Sequence, residues 1–375
     1  MFLFVTFFSE FLFLNFFSWP NVNSWGLRGS NFMDMDATLK FVECFKTYGF
    51  EIYGSVAVEQ CSHYVYGSLL IALLYLVSGA SWLVSILGFV SMLLISGIVS
   101  HSVSYLKSSV IIKVTLGTIL IVSPPFSLLA ERGNIDSVIF AVLLLSLTLC
   151  YSKPTHNVGY FLLALTCMTK FYTLPIFVLI FITQKRYSFR NQNILFIVTV
   201  FVTLLDFVRV ESLPTKSPYA SFGNTLFGDY LTQVFGDSSD LMALGILLGL
   251  AAYVVGTALF FFLFRKFSDW QRGYSRTLGF FIAICFFIVF ICCYFAGRNY
   301  DYRLVLLVVS VLFLIPSSSR LIKPFLIIGI IVLLFTSYNA NAISQAFGDA
   351  FILIFLSFLS ALFIHASKDV KSVLT

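Results

Sequence analysis

Residues Val158–Thr183 read VGYFLLALTCMTKFYTLPIFVLIFIT. The stretch is apolar and aromatic almost throughout, with a single charge, Lys170, and a single proline, Pro175. A helix needs about 20 apolar residues to cross a hydrocarbon core about 30 Å thick. The stretch therefore places the chain in a membrane. It is either one long crossing or two short helices meeting near Lys170, because proline interrupts a helix interior. Broken helices are tolerated in membranes where they line a cavity.

Similar runs extend on both sides. They lie at about Met1–Trp19 (broken by Glu10), Tyr64–Val77, Trp82–Val99, Val110–Val122 and Ile135–Tyr151, and then at Ile194–Val208, Leu241–Phe264, Leu278–Ala296, Leu304–Ile315, Pro324–Tyr338 and Phe351–Ile364. At that crossing length they allow roughly ten to twelve transmembrane helices. Met1–Trp19 lacks the basic start and small-residue cleavage site of a signal peptide, and reads as a retained anchor. Barrel strands would alternate in shorter segments. Of the 375 residues, 59% are hydrophobic and 11% charged. A soluble domain carries about 25% charged residues. That excludes a soluble enzyme, a nucleic-acid binder and a disordered chain. The expectation is one all-α polytopic membrane domain over residues 1–375. Two large extracytoplasmic loops are expected, at 20–62 with short helices in it and at 209–240.

The net charge of +6 needs no nucleic acid as partner, because Lys and Arg collect in cytoplasmic loops. Lys185, Arg186 and Arg190 form one basic cluster, and Arg265, Lys266, Arg272 and Arg276 a second. Arg320 with Lys323, and Lys368 with Lys371, add two more. Two crossings separate each cluster from the next, so all four fall on one side, read as cytoplasmic along with the C-terminus. Glu211–Asp240, Arg298–Arg303 and Asn339–Asp349 fall opposite. In the first half, simple alternation puts Ser123–Asp136 inside. Two short helices meeting near Lys170 put Ser123–Asp136 and Lys170 outside, and Tyr151–His156 inside. The second version fits Lys107, Lys113 and Lys153 better. It leaves Tyr64–Val99 with one crossing plus a re-entrant or interfacial piece.

Ionisable groups within or beside apolar runs are costly and default to functional candidates. In Asn31-Phe-Met-Asp-Met-Asp36, Asp36 precedes an amphipathic stretch and suits a helix cap. Asp34 lies among Phe32, Met33 and Met35, which fit a membrane interface, and is either a general base or a solvated loop acid. In Glu131-Arg132-Gly133-Asn134-Ile-Asp136, which follows Pro124 and Pro125, Asn134 or Asp136 can cap the next helix. The charges form either an interfacial pair or a wall for a polar substrate. Lys170, beside Tyr172, either snorkels to the interface or meets a phosphate. Arg298, Asp301 and Arg303 form a surface salt bridge or a phosphate site on the side where arginines are unexpected. Tyr64 and Tyr66 either stack on sugar or belong to an interfacial aromatic belt.

Of seven cysteines, Cys44 and Cys61 alone lie in the polar stretch near the N-terminus. They are a disulfide candidate if that loop faces an oxidising compartment, and otherwise two free buried thiols. The other five lie in apolar runs. No Cys/His spacing demands a metal.

The arrangement resembles the GT-C superfamily of membrane glycosyltransferases, and within it the bacterial polyprenol-phosphate-mannose-dependent, alpha-mannosyltransferase-like family. The likeness spans roughly residues 1–310. It rests on an early loop acid (Asp34 or Asp36), Gly49-Phe-Glu-Ile-Tyr53, Tyr64-Val-Tyr66, Glu-Arg-Gly-Asn-x-Asp at 131–136 and Lys-x-Tyr-x-x-Pro at 170–175. Gly67-Ser68 stands where the family has prolines. The resemblance implies a GT-C-like fold in the inner (plasma) membrane, and inverting transfer of a sugar from a polyprenyl-phosphate donor to a lipid-linked or glycan acceptor outside the cytoplasm. The early Asp would be the base. Tyr64, Tyr66, Glu131, Arg132, Asn134, Asp136, Lys170, Tyr172, Arg298, Asp301 and Arg303 would line the substrate site. No cofactor is firmly implied, and a divalent metal is optional. A transporter or flippase for a lipid-linked saccharide, and a polysaccharide polymerase or ligase, are the rival readings.

Overall fold

The computed structural model describes residues 32–49, 52, 61, 66–77, 82–183, 190–211, 221–222, 239–264, 277–296, 299–300, 303–318, 322–336 and 342–367. The expected anchor at Met1–Trp19 lies outside them. The described chain is helical: α1 (Met33–Tyr48), α2 (Ser68–Leu74), α3 (Trp82–Ser104), α4 (Val110–Val122), α5 (Pro124–Glu131), α6 (Asp136–Tyr151), α7 (His156–Thr169), α8 (Leu174–Thr183), α9 (Arg190–Glu211), α10 (Ser239–Phe264), α11 (Leu278–Ala296), α12 (Leu304–Leu314), α13 (Ile322–Thr336) and α14 (Ala342–Ser367). One antiparallel pairing joins β1 (Ser221–Phe222) to β2 (Asn299–Tyr300), with Ser221 opposite Tyr300.

Among the described residues, five segments are long and apolar enough to cross a membrane: Trp82–Ser104, Gln192–Arg209, Ala243–Phe264, Leu278–Phe295 and Gly348–His365. Helices α4 and α5 make a sixth if their 64° bend is one broken span. Four more apolar helices are shorter: Asp136–Tyr151, Phe171–Ile182, Leu304–Leu314 and Ile322–Leu334. The protein is a polytopic membrane protein of the all-α class, its one β pairing being two residues long on each side.

Two compact units divide the chain. One comprises Met1–His101, Val110–Val122 and Phe126–Ser217, the other Ser102–Ser109, Ser123–Pro125 and Pro218–Thr375. In the second, α12 is the core, with every residue from Leu304 to Leu314 buried. Its Ser310 hydroxyl donates to the Ala283 carbonyl of α11 at 2.7 Å. Helices α10 and α14 pair through Tyr253 and Ser360, whose hydroxyl oxygens are 2.6 Å apart. The β pairing also lies in this unit, joining the expected second loop to the 298–303 stretch.

In the first unit α6 and α7 form a tight hairpin. The Thr155 hydroxyl donates to the Leu149 carbonyl at 2.9 Å, and His156 Nδ1 lies 2.9 Å from the Cys150 carbonyl oxygen, so both groups satisfy the end of α6. Gly159 permits the close crossing, because a Cβ there would lie 2.5 Å from the Cys150 nitrogen and 2.7 Å from the Ser146 carbonyl.

The stretch Val158–Thr183 is two helices. Helix α7 ends at Thr169, Lys170 is extended at φ −149° and ψ 120°, and α8 begins at Leu174. Two features stop α7. Pro175 has no N–H with which to bond the Phe171 carbonyl in a continued helix. The Thr169 carbonyl instead accepts the Gly67 N–H at 2.8 Å. The 14 residues of α7 make about 21 Å at 1.5 Å rise per residue, short of a full hydrocarbon core.

Candidate functional site

The first unit gathers polar side chains from segments far apart in sequence. Asn134 is the junction. Its Nδ2 donates to Asp34 Oδ2, and its Oδ1 accepts the Tyr66 hydroxyl at 3.2 Å and the Asp136 N–H at 2.8 Å. The last bond caps α6, so of the two expected cap candidates Asn134 serves. The turn reaches this position through Gly133, at φ +55°, a left-handed conformation that glycine adopts freely. A Cβ on Gly133 would also lie 2.8 Å from Cβ of Phe32.

Arg132 faces the opposite edge of the same carboxylate. Its Nε donates to Asp34 Oδ1 at 2.8 Å, and its terminal nitrogen bonds the same oxygen. The Asp34 N–H donates to the Arg132 carbonyl at 3.0 Å. The side chains of Arg132 and Asp34 remain 13% and 15% exposed. The pair is thus sheltered yet reachable, and Oδ2, with one donor among the described residues against two on Oδ1, keeps lone-pair capacity for a further donor.

These contacts correct two expectations for the first loop. Asp36 is not the cap of α1. The helix begins at Met33, after Phe32 in a left-handed conformation, and Asp36 lies in its first turn, with its carboxylate 2.7 Å from Lys40. The physical reason is that a tertiary partner, the Arg132 carbonyl, takes the Asp34 N–H at the helix start. Asp34 is likewise neither ahead of the helix nor a solvated loop acid, since Arg132 and Asn134 hold it. Phe32 and Met35 also turn inward rather than to a membrane interface. Met35 is 1% exposed, and a Cβ on Gly88 of α3 would lie 2.3 Å from the Phe32 ring.

Lys170 does not snorkel. It is 3% exposed, with Nζ 3.5 Å from the Tyr66 ring centroid, 6.0 Å from that of Tyr172 and 3.6 Å from Asp136 Oδ1. Asp136 is wholly buried. A desolvated cation over an aromatic face gains about 2 kcal/mol. Removing one member of a buried ion pair costs about 3–5 kcal/mol. The break in the chain at Lys170 is thus bound to the same tyrosine that Asn134 holds.

Asp206 has no place in the sequence reading, yet it belongs here. It is 3% exposed on α9. Its Oδ2 accepts the Ser68 N–H at 2.7 Å and the Ser68 hydroxyl at 2.8 Å, while Arg209 lies 3.5 Å from Oδ1. A carboxylate inside the apolar run Ile194–Val208 was the available signal.

The sulfurs of Cys44 and Cys61 are bonded, with Cα atoms 6.1 Å apart. The bond ties α1, which carries Asp34, to the segment that leads into Tyr66. Beside Ser68 opens an apolar groove of about 610 Å³, lined by Phe45, Ile71, Tyr75, Met168 and Val202 among others.

Tyr64, Arg298, Asp301 and the Glu131 side chain lie outside the described residues, so the expected meeting of Arg298 with Lys170 does too. Tyr172 stands near Lys170, and Arg303 precedes α12 in the second unit. Among the described residues, no group of three or more His, Cys, Asp or Glu side chains is placed to hold a metal. No family model, curated protein or solved structure matches the chain.

Asn134 should govern the stability of this unit. Asn134→Leu removes one donor and two acceptances, and a buried polar group left unsatisfied costs about 1–3 kcal/mol. Tyr66→Phe removes one hydroxyl, worth about 1 kcal/mol. Thermal unfolding in detergent should therefore show a clearly larger fall for Asn134→Leu than for Tyr66→Phe. Equal falls would contradict the junction role.

Proposed function

We propose that the protein is a membrane glycosyltransferase of GT-C type. It transfers a sugar from a polyprenyl-phosphate donor to a lipid-linked or glycan acceptor at the extracytoplasmic face. The observation that carries this reading is convergence. The early loop acid, the Tyr66 segment, the 131–136 segment and the Lys170 segment are four separate parts of the resemblance, and they form one connected cluster.

The chemistry follows from that geometry. A single displacement at the anomeric carbon needs a base for the acceptor hydroxyl and stabilisation for the departing phosphate. Asp34 is the base. Arg132 and Asn134 fix its carboxylate from two sides, and its partial exposure leaves room for a hydroxyl donor. Arg132 also supplies cationic character beside the acid, where guanidinium favours phosphate oxygens. Lys170 holds Tyr66 against the site. The apolar groove beside Ser68 suits the prenyl chain of the donor.

The cluster also bears on orientation. Asp34, Arg132–Asp136 and Lys170 can share one end of the helices only if Val158–Thr183 is broken at Lys170, as it is. That break supports the topology in which the site lies outside and the Tyr151–His156 turn in the cytoplasm. Within the second unit, the β pairing of 221–222 with 299–300 supports one side for both stretches, the outer one by the count of basic residues. In this reading the membrane is the cell's inner (plasma) membrane and the C-terminus is cytoplasmic.

Two outcomes are expected. Purified protein should transfer sugar from a polyprenyl-phosphate-hexose, and Asp34→Asn should lower turnover by about 10²–10⁴ with the fold kept. Full activity in Asp34→Asn would remove this acid from the chemistry, and movement of the intact donor across vesicles without transfer would favour a flippase. In intact cells, Ser152→Cys should resist a membrane-impermeant maleimide and react after permeabilisation. Labelling from outside would invert the topology.

A further inference from the structure

We propose that Asp206 is a positioning residue of this site, which holds Tyr66 in register over Lys170 through the Gly67–Ser68 turn. The inference concerns the geometry of the cluster and does not depend on which substrate the site takes.

Asp206 lies on α9, and the residues it serves lie far off in sequence. Its Oδ2 accepts both the backbone N–H and the hydroxyl of Ser68, at 2.7 and 2.8 Å. One carboxylate oxygen thus fixes the backbone and the side chain of a single residue. Bonds to a charged acceptor are about twice as strong as neutral ones. At 3% exposure, little water competes for that oxygen.

The adjacent residue supplies the second point. The Gly67 N–H donates to the Thr169 carbonyl at 2.8 Å. The approach is so close that a Cβ on Gly67 would lie 1.9 Å from the Met168 carbonyl oxygen and 3.2 Å from Asp206 Oδ2. Any larger residue would push the turn off both partners.

Tyr66 precedes this turn and Lys170 follows Thr169. Fixing Gly67 on Thr169 and Ser68 on Asp206 therefore sets the Tyr66 ring and the Lys170 ammonium against each other, at 3.5 Å from nitrogen to centroid. Tyr66 carries the constraint on to Asn134 by its hydroxyl, and Asn134 to Asp34. The restraint runs from α9 to the loop acid through a direct contact at each step.

Lys170 reports on this arrangement directly, because it is covered in the native state. The purified protein in micelles is treated with acetic anhydride, and acetylation at Lys170 is read by peptide mass spectrometry. Lys40, whose side chain is 66% exposed, is the exposed reference. Maleimide labelling of Cys150, 3% exposed on α6, reports whether the helical core stays closed. Asp206→Leu should raise Lys170 acetylation by about tenfold or more, as local opening does, with Cys150 still protected. Ser68→Ala, which keeps the backbone bond, should give a smaller rise. Asp206→Asn retains an acceptor oxygen and should restore protection. Lys170 protection unchanged in Asp206→Leu, Cys150 opening along with Lys170, or Asp206→Asn behaving like Asp206→Leu would each overturn the proposal.

Discussion

A buried primary amide offers two donors and two acceptor positions, and Asn134 uses both ends of its group. Its nitrogen holds the Asp34 carboxylate, and its oxygen holds the Tyr66 hydroxyl and the first N–H of α6. Removing that amide would leave Arg132 alone to hold the first loop helix to the turn at 131–136 and would free the hydroxyl of the tyrosine that covers Lys170. Asn134 is 1% exposed, so water is not at hand to replace the lost bonds. The left-handed Gly133 beside it lets the turn reach this position.

The polar cluster and the broken helix depend on each other. A continuous helix through Val158–Thr183 would use the Thr169 carbonyl internally and would leave the Gly67 N–H without that acceptor. The break frees the carbonyl and leaves Lys170 in extended backbone, where its ammonium meets Tyr66 and Asp136. Two acids, Asp136 and Asp206, sit almost wholly inside the protein. Each is held by groups that the break or the adjoining turn presents. In an apolar chain, such a set of paired charges gives one helical arrangement an advantage over others that would leave them bare.

Much of this was legible in the sequence. The apolar runs gave the helical membrane class, Lys170 with Pro175 favoured the break, and Asn134 was one of two cap candidates after Gly133. The failures are local and physical. Asp36 looked like a cap because sequence shows only the side chains available at a helix start. It does not show that a carbonyl from residue 132 reaches the backbone there. Asp34 stayed open between a general base and a solvated acid because its partners lie about a hundred positions away. Asp206 was passed over inside an apolar run, although a lone carboxylate there was itself a signal. Gly67-Ser68 read as a departure from a family pattern. In the structure the pair docks the chain, with glycine allowing contact and serine supplying two donors.

The central claim is that Asp34 and Arg132 are energetically coupled, so that the loop acid is held in the site rather than lying free. A double-mutant cycle on unfolding in detergent, with Asp34→Asn, Arg132→Gln and the pair, measures this directly. Hydrogen bonds to charged groups contribute about 1.5–3 kcal/mol, and contacting residues couple by about 0.5–3 kcal/mol. The account predicts a coupling energy of about 1 kcal/mol or more. Simple additivity of the two substitutions would contradict it.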